Sequence, residues 1–325
     1  RNTVSAGANG KWYLLFALMV AVYLLVWINR NFSPRAMART QSVGGGGGGG
    51  GGGDIEGFAN NQSKRFESKT GTDVYDAFYA DVYDELFFQP NKLEYEVSSI
   101  IKEADLAPNG THVLDIGSGR GHFVDKMKKN GYAATGLEKS KAMIDVNKRM
   151  YPDVDVKEGD AMDQMSFPPE RFTVITCLTF TVYYMSDKRH FFDNCYHWLS
   201  PGGYLVVHLV DRTRFDPMVP AGKPFFLISP QSQAKKRITG SSVKFETFQY
   251  KSDFHLKTDD DGVLVETFTD DDTGKIRQNI HNYDMPSHKT IVKMAKETGF
   301  IVSAHVDMVS TMNEYQYLYF FKKPN

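Results

Sequence analysis

The chain has 325 residues, enough for about two domains of ordinary size or one large domain with an insertion. Its 38 Lys and Arg residues balance 39 Asp and Glu residues, so a protein that binds nucleic acid through bulk positive charge is excluded. Only two cysteines occur, Cys177 and Cys195, which excludes a disulfide-stapled scaffold and a Cys-rich structural zinc site.

An apolar run without charge or proline extends from Trp12 to Ile28. As a helix it would be roughly 25 Å long, close to the ~30 Å hydrocarbon core of a bilayer. Aromatic residues lie at both ends of the run, where their amphipathic rings favour the headgroup level. We therefore expect residues 1–30 to form a membrane anchor with a transmembrane helix. A buried core helix and a cleaved signal peptide are the alternatives.

Basic residues flank the apolar run unequally, with two before it and three closely after it. This distribution favours a single-pass membrane protein whose C-terminal part faces the cytoplasm. Residues 31–72 are rich in Gly, Ser, Asn and charge, with ten consecutive glycines at 44–53. Because such a composition cannot bury a core, we expect this stretch to be a disordered tether.

From residue 73 to the C-terminus, short apolar runs alternate with helical patterns. Tyr75, Tyr79 and Tyr83 recur at every fourth position, which predicts a helix with an aromatic face. Five predicted strands follow, separated mostly by helices, at about 112–116, 134–137, 154–156, 172–177 and 204–209. The alternation predicts an α/β fold with a mostly parallel sheet and helices on both faces.

The alternation breaks between about residues 211 and 284. Three runs there have the pattern of strands, Val243–Lys257, Val263–Thr269 and Lys275–Asn282, and Asp- and Gly-rich turns join them. We expect an antiparallel β insertion after the fifth strand, followed by a helix from Ser287 and two closing strands. The insertion is expected to cover the C-terminal edge of the sheet as a substrate cap; a surface embellishment or a dimer contact is the alternative.

The first predicted strand contains Asp115 and runs into the turn Gly117-Ser118-Gly119-Arg120-Gly121 before a helix. Glycines in such a turn let a ligand approach the backbone, and the helix N-terminus offers free N–H groups. A tight turn without a ligand is the alternative. The dinucleotide-binding fingerprint would require a glycine where His122 stands.

Acidic residues also follow the next two predicted strands. Glu138 can accept hydrogen bonds from both ribose hydroxyls of a nucleoside, and Asp160 can accept one from an adenine amino group. Together with Asp115, these acids lie at the C-terminal ends of three successive strands, along the crevice where open α/β sheets bind ligands.

These features resemble the class I S-adenosylmethionine-dependent methyltransferases over residues 73–325. The segments DIGSGRG, GLEKS, EGDAMD and LSPGGYLVV carry the resemblance. It implies a Rossmann-like seven-stranded sheet, S-adenosylmethionine as the cofactor, and methyl transfer to a small-molecule acceptor at nitrogen or oxygen. The residues implied to bind the cofactor are Asp115, Gly117, Ser118, Gly119, Gly121, Glu138, Lys139, Asp160, Ala161, Met162, Leu178, Tyr79 and Tyr83. For Tyr79 and Tyr83, packing of an aromatic helix face in the core is the alternative.

The tyrosine-rich segment and the insertion are similar, more weakly, to enzymes that dimethylate the amine of nucleotide-linked amino sugars and to glycine N-methyltransferase. The chain lacks the motif of amino-directed DNA methyltransferases and the acidic metal ligands of catechol-type enzymes, so we expect no nucleic acid and no metal. Candidate catalytic residues are Tyr183, His208 and Asp211. For Tyr183 and His208, packing in the core is the alternative. No role is assigned to His281.

The sequence therefore predicts a membrane-tethered methyltransferase that acts on a small-molecule or lipid-like acceptor. A non-catalytic S-adenosylmethionine-binding module that recruits partners at a membrane is the alternative. A dehydrogenase is a third hypothesis, which His122 and Asp160 disfavour. The acceptor, the methylated atom and the oligomeric state stay open at this point.

Overall fold

The computed structural model describes Met19, Val22, residues 66–223, Gln231 and residues 234–325. Among these residues, no helix has the length and apolar character that a membrane crossing requires. The predicted anchor, residues 1–30, lies outside the described residues except for Met19 and Val22, which are helical and exposed. The membrane anchor therefore stays a prediction.

The predicted disordered tether is wrong at its C-terminal end. Phe66–Thr70 form a strand, β1, and Gly71–Val74 follow as a 3-10 turn. Strand β1 pairs in parallel with Ile276–Asp284, from Phe66 opposite Ile276 to Thr70 opposite Ile280. Composition conceals this strand, because a strand added to the edge of a sheet is held by backbone hydrogen bonds that need no apolar side chains. The rest of the predicted tether lies outside the described residues.

The main part of the chain alternates helices and strands. The helices are α1 (Ala77–Phe87), α2 (Pro90–Glu103), α3 (His122–Lys129), α4 (Lys141–Met150), α5 (Lys188–Trp198) and α6 (His288–Thr298). The further strands are β2 (His112–Ile116), β3 (Ala133–Glu138), β4 (Asp155–Glu158), β5 (Phe172–Cys177), β6 (Leu199–Val210), β7 (Gly240–Lys244), β8 (Phe248–Leu256), β9 (Asp261–Asp270), β10 (Ile276–Asp284), β11 (Ile301–Asp307) and β12 (Gln316–Lys322).

Local sequence explains where several helices begin. Asp76, Ser140, Asp187 and Ser287 precede α1, α4, α5 and α6, and each side chain accepts a hydrogen bond from the backbone N–H three residues later. Such N-caps satisfy a backbone donor that the helix itself leaves free. The predicted helix start at Ser287 is confirmed.

Seven strands form the main sheet in the order β11-β12-β6-β5-β2-β3-β4. Neighbouring strands from β6 to β4 are parallel, and β12 is antiparallel to both of its neighbours. Val113 packs into one apolar cluster with α2 and α3, whereas Leu114 and Ile116 pack into another with α5 and α6. The predicted Rossmann-like sheet with helices on both faces is confirmed.

The insertion forms a second sheet in the order β1-β10-β9-β8-β7, antiparallel except for β1. The strand predicted over Val243–Lys257 is in fact two strands, β7 and β8, because the chain turns between them at 245–247. The turn is short, and apolar and polar residues alternate on both sides of it, so the sequence pattern resembles one continuous strand. One face of the sheet packs on α1, where the Phe78 ring meets Phe248 and Phe268 edge-on.

Candidate functional site

A cavity of about 260 Å³ lies where the turn after β2, helix α1 and the second sheet come together. The described lining residues include Asp115, Gly117, Ser118 and Gly119 from the turn, Tyr75, Tyr79 and Tyr83 from the α1 region, Leu178 and Tyr184 after β5, His208 on β6, and Phe254, Leu264, His281 and Tyr283 from the second sheet. The insertion therefore forms one wall of the cavity that also contains the glycine-rich turn.

The glycines of the turn differ in what surrounds them. A Cβ on Gly117 would lie 2.5 Å from the Thr181 side chain, and one on Gly121 would lie 2.5 Å from Asn147. A Cβ on Gly119 would meet nothing within 4 Å, although its φ of +53° also favours glycine. Packing thus requires glycine at 117 and 121, whereas the backbone at 119 faces open space.

The carboxylate of Glu138 holds this turn in place. Its Oε2 accepts a hydrogen bond from the Gly119 N–H at 2.9 Å, and its Oε1 accepts from the N–H groups of Lys139 and Ser140 at 2.8 and 2.7 Å. Burial raises the pKa of Glu138, and the three N–H donors oppose that rise. Glu138 is not among the residues that line the cavity, and its bonds hold the turn against the end of β3.

The predicted adenine-side residues lie beside Glu138, outside the cavity lining. The Lys139 Nζ and an Asp160 oxygen are 2.7 Å apart, and the other Asp160 oxygen accepts from the Met162 N–H at 3.0 Å. Burial alone would raise the pKa of Asp160, but these partners hold it below its ordinary value. Ala161 is buried, and its carbonyl accepts a hydrogen bond from Asn194. Asp160 is therefore an ionised, already partnered acid.

Asp115 presents a buried carboxyl group to the cavity. The Thr176 hydroxyl donates to its Oδ1 at 2.7 Å, and burial raises the pKa of Asp115 to about 7 despite that bond. A carboxyl group poised in this way gains its charge most readily when a cation binds next to it.

Two of the three predicted catalytic residues have structural contacts instead. Tyr183 is buried, and its hydroxyl accepts the Val210 N–H at 2.8 Å. Asp211 bonds Thr213 and Arg214 in the turn after β6. Neither side chain lines the cavity described above. Tyr183 lies on the 3-10 segment Thr181–Tyr184 after β5, turned toward β6, and Asp211 closes the turn after β6, so the structure does not support a catalytic role for either residue.

His208 does line the cavity. Its Nδ1 lies 2.5 Å from the Thr179 carbonyl oxygen, to which it donates. Burial, together with the nearby Lys92 charge, lowers the pKa of His208 to about 3. The ring is therefore neutral at physiological pH, and its Nδ1 proton is held by the backbone.

A chain of hydrogen bonds at the second-sheet wall was missed by sequence reasoning. Tyr75 donates to the Tyr184 hydroxyl at 2.8 Å, Tyr184 lies 2.6 Å from His281 Nδ1, and His281 Nε2 lies 2.7 Å from Glu266 Oε2. Glu266 is fully buried, and its other oxygen accepts from Tyr250 at 2.8 Å. Burial alone would raise the pKa of Glu266, but His281 and Tyr250 hold it below its ordinary value.

One signal in the sequence could have marked β10 as a strand with a polar inner face, although it does not identify the partners of that face. Arg277, Asn279, His281 and Tyr283 alternate along β10 and are all buried, while the residues between them are more exposed. A strand whose polar residues face inward must pair them with other polar groups, because unpaired buried polar groups are costly.

His122 also has a structural explanation. Its ring stacks on Phe88 at a centroid distance of 4.1 Å, and its nitrogens bond Asp84 and the Tyr151 hydroxyl. It replaces the third glycine of a dinucleotide-binding turn with a side chain that anchors α3 to the α1 region. Among the described residues, no group of three or more His, Cys, Asp or Glu side chains is arranged to hold a metal ion.

Residues 114–207 match a family model described as a methyltransferase domain. The chain is 31% identical over 139 residues to a dTDP-4-amino-2,3,4,6-tetradeoxy-D-glucose N,N-dimethyltransferase of Saccharopolyspora spinosa, covering 41% of this chain and 55% of that protein. It is 28% identical over 121 residues to a ubiquinone biosynthesis O-methyltransferase of Coxiella burnetii, covering 34% and 48%. The chain thus spans about half the length of these curated relatives.

Solved structures share the fold over a longer stretch. An S-adenosylmethionine-dependent methyltransferase from Clostridium acetobutylicum has a TM-score of 0.58 at 15% identity, covering 76% of this chain and 98% of that one. The CcbJ methyltransferase from Streptomyces caelestis has a TM-score of 0.58 at 18% identity, covering 78% and 98%. These structural matches show the fold alone. Residues 114–207 are thus similar to a methyltransferase domain, and the described fold is similar to those of solved methyltransferases, in line with the expected resemblance.

Proposed function

We propose that this protein transfers a methyl group from S-adenosylmethionine to a small-molecule acceptor, at nitrogen or oxygen. One observation carries the proposal: a single cavity joins the glycine-rich turn to the polar, aromatic wall of the second sheet. The donor would lie at the turn and the acceptor at the opposite wall. The two reactants would then meet inside one cavity, as a direct transfer requires.

The residues at the turn fit the donor. The open space at Gly119 allows a ligand close to the backbone, and the buried Asp115 carboxyl group suits the ammonium group of a methionine moiety. Glu138 and Asp160 would hold the ribose and adenine, with Ala161 and Met162 beside the ring. When bound, S-adenosylmethionine supplies a methyl group already activated on a sulfonium centre.

The chain's own contribution is alignment and exclusion of water. Aromatic rings surround the acceptor side, including those of Tyr75, Tyr184 and Tyr283. Such walls keep the site dry and hold the attacking atom in line. The N,N-dimethyltransferase and O-methyltransferase relatives support nitrogen and oxygen acceptors alike, and therefore leave both in the proposal.

Donor binding and turnover test this function with the full chain. We expect calorimetry to detect S-adenosylmethionine binding and no NAD binding. Release of S-adenosylhomocysteine is then measured with dTDP-4-amino-2,3,4,6-tetradeoxy-D-glucose, a prenylated phenol and tyramine as acceptors. Donor binding without turnover on any acceptor would favour the non-catalytic module, and NAD binding would favour a dehydrogenase.

We further propose that residues 1–30 anchor the enzyme in a membrane with its methyltransferase domain on the cytoplasmic side. The support is the uncharged run from Trp12 to Ile28 and the three arginines that follow it. The full chain is expected in the membrane fraction and resistant to alkaline extraction, whereas a chain lacking residues 1–30 should be released. Release of both chains by alkaline extraction would overturn the proposal.

A further inference from the structure

The hydrogen-bond chain at the second-sheet wall has a direction. Glu266 accepts from the Tyr250 hydroxyl at one oxygen and from His281 Nε2–H at the other. In a neutral imidazole this leaves His281 Nδ1 as an acceptor, and the Tyr184 hydroxyl donates to it. The Tyr184 oxygen in turn accepts from Tyr75. With His281 neutral, every proton along Tyr75, Tyr184 and His281 points from the cavity toward the buried carboxylate.

The two ends of this chain differ in their access to the cavity. Tyr75, Tyr184 and His281 line it, whereas Glu266 is fully buried behind them. A buried carboxylate is costly to desolvate, and a pair of apolar residues would pack the same space at lower cost. Glu266 therefore needs a reason beyond packing, and its place at the end of a chain that begins in the cavity supplies one.

The charged group nearest to His281 is negative. Glu266 is the ionised group in direct contact with it, and burial raises the pKa of the surrounding tyrosines, which therefore stay neutral. Arg277 lies on the same strand, but its charge is paired with Asp76 at 2.8 Å. Among the described residues, the titratable groups in contact with His281 are Glu266, Tyr75, Tyr79, Tyr184 and Tyr283, and Asn279 bonds Glu266 beside it.

We propose that Tyr75, Tyr184 and His281, with Glu266 as the positioning residue, form a proton relay that deprotonates the methyl acceptor. The inference rests on the proposed function and deepens it. The acceptor is then a molecule whose attacking atom carries a proton that must leave, either an ammonium nitrogen or a hydroxyl oxygen. The four tyrosine rings around His281 also suit a cation, because ring faces attract positive charge. Two of these rings, Tyr75 and Tyr184, belong to the relay itself.

The proton that leaves the acceptor is accounted for along the hydrogen bonds of the relay. The acceptor's N–H or O–H bond breaks, and its electron pair stays on the attacking atom. The proton goes to the Tyr75 oxygen as the Tyr75 proton moves to Tyr184 and the Tyr184 proton moves to His281 Nδ1. The imidazolium that results lies against the Glu266 carboxylate, so the buried pair becomes neutral overall. The proton returns to solvent before the next cycle.

The tautomer of His281 tests the relay without any acceptor. Nitrogen-15 NMR of the full chain, labelled at histidine and assigned with His281→Gln, is expected to show a proton on Nε2 and an unprotonated Nδ1. A resting His281 with its proton on Nδ1, or with protons on both nitrogens, would overturn the proposal, because Nδ1 could not accept. This measurement does not depend on whether methyl transfer is observed.

Turnover provides the second test, with tyramine as a probe that offers an amine and a phenol in one molecule. Tyr75→Phe and Tyr184→Phe should each lower kcat about a hundredfold, within the usual contribution of a positioned proton acceptor. The double variant should lose no more than either single variant, because the relay acts as a unit. Affinity for S-adenosylmethionine should change less than twofold. The position of the new methyl group distinguishes the two acceptor chemistries.

Glu266→Gln keeps the shape of the side chain and removes its charge. We expect a kcat at least tenfold lower and an acidic limb of the kcat–pH profile that moves to lower pH, since the imidazolium loses its partner. If Glu266 only packs, the variant should have a lower free energy of unfolding, and the acidic limb of its kcat–pH profile should not shift. For Tyr75→Phe and Tyr184→Phe, Tyr132→Phe is the matched control, because its hydroxyl bonds the Leu106 carbonyl away from the cavity.

The outcomes separate the two proposals. Full turnover in Tyr184→Phe, or losses that add up in the double variant, would overturn the relay and leave methyl transfer standing. A wild-type chain that binds no S-adenosylmethionine would overturn the proposed function and, with it, the relay's role in methyl transfer, even if the histidine tautomer were as expected.

Discussion

The carboxylate of Glu138 lies 2.9 Å from the backbone nitrogen of Gly119 and so ties the end of β3 to the glycine-rich turn. Glu138→Ala would leave this N–H and those of Lys139 and Ser140 without their acceptor. We expect a donor affinity at least tenfold weaker and a free energy of unfolding lower by about 2 kcal/mol. Calorimetry and urea unfolding measure the two effects.

Glu158→Ala is the control for this prediction, because Glu158 is an exposed acid at the end of the adjacent strand β4. It should change neither quantity. Equal behaviour of the two variants would mean that the Glu138 bonds contribute little to the turn.

Asp115 should make stability depend on pH. Its pKa rises from 3.8 to about 7 on folding, so its contribution is fully present below about pH 4 and is lost as the pH approaches 7. Asp115→Asn removes this dependence. The free energy of unfolding of the variant relative to wild type should therefore rise between pH 4 and 7, by on the order of 4 kcal/mol. Urea unfolding without donor at pH 4 and 8 measures it; a constant difference would contradict the prediction.

Substitutions at two glycines of the turn should affect stability and donor binding differently. Gly121→Ala places a methyl group against the buried Asn147 at a φ of +86°, and we expect a loss of about 3 kcal/mol in the free energy of unfolding. Gly119→Ala meets open space and should cost only about 1 kcal/mol, yet weaken donor binding more. Thermal unfolding and donor calorimetry on both variants measure the two effects. A larger stability loss in Gly119→Ala, or a larger affinity loss in Gly121→Ala, would contradict the prediction.

Tyr183 should behave as a structural residue. Tyr183→Phe leaves the buried Val210 N–H without its acceptor, which costs about 1–3 kcal/mol of stability. Donor affinity and kcat should change less than twofold. A large loss of kcat at unchanged stability would instead restore the catalytic role that the sequence predicts.

Leu264 offers a test of the insertion as an acceptor-binding wall. It lines the cavity, whereas the next residue, Val265, lies outside that lining. Leu264→Ala should change the relative KM values of the acceptors at least fivefold and leave donor affinity unchanged. Val265→Ala is the matched control. If donor affinity falls and acceptor preference stays the same, the wall does not select the acceptor.

The main sheet could be predicted because each of its elements follows from local signals. Strand β2, its glycine turn and α3 lie within 18 consecutive residues, so periodicity and glycine positions define them together. Asp115 and the glycines then reach the cavity simply because parallel strands end at one edge.

The polar wall could not be predicted in the same way. Glu266 and His281 meet because β9 and β10 pair in one particular register, with Glu266 opposite Asn279. Tyr184 then reaches them from a different part of the chain, 97 residues before His281. No local pattern encodes such a meeting. Tyr183 and Tyr184 show the limit most plainly, since one bonds the backbone of β6 and its neighbour lines the cavity.

Strand β1 covers the edge of β10 that would otherwise be the edge of the second sheet. It covers the backbone N–H and C=O groups of the strand that carries His281, over five paired positions. A chain that began at residue 73 would leave that row of groups unpaired at the edge of the second sheet, where a strand from another molecule could add to it. Such a shortened protein should self-associate as its concentration rises, and the beginning of the folded domain is therefore better placed at Phe66.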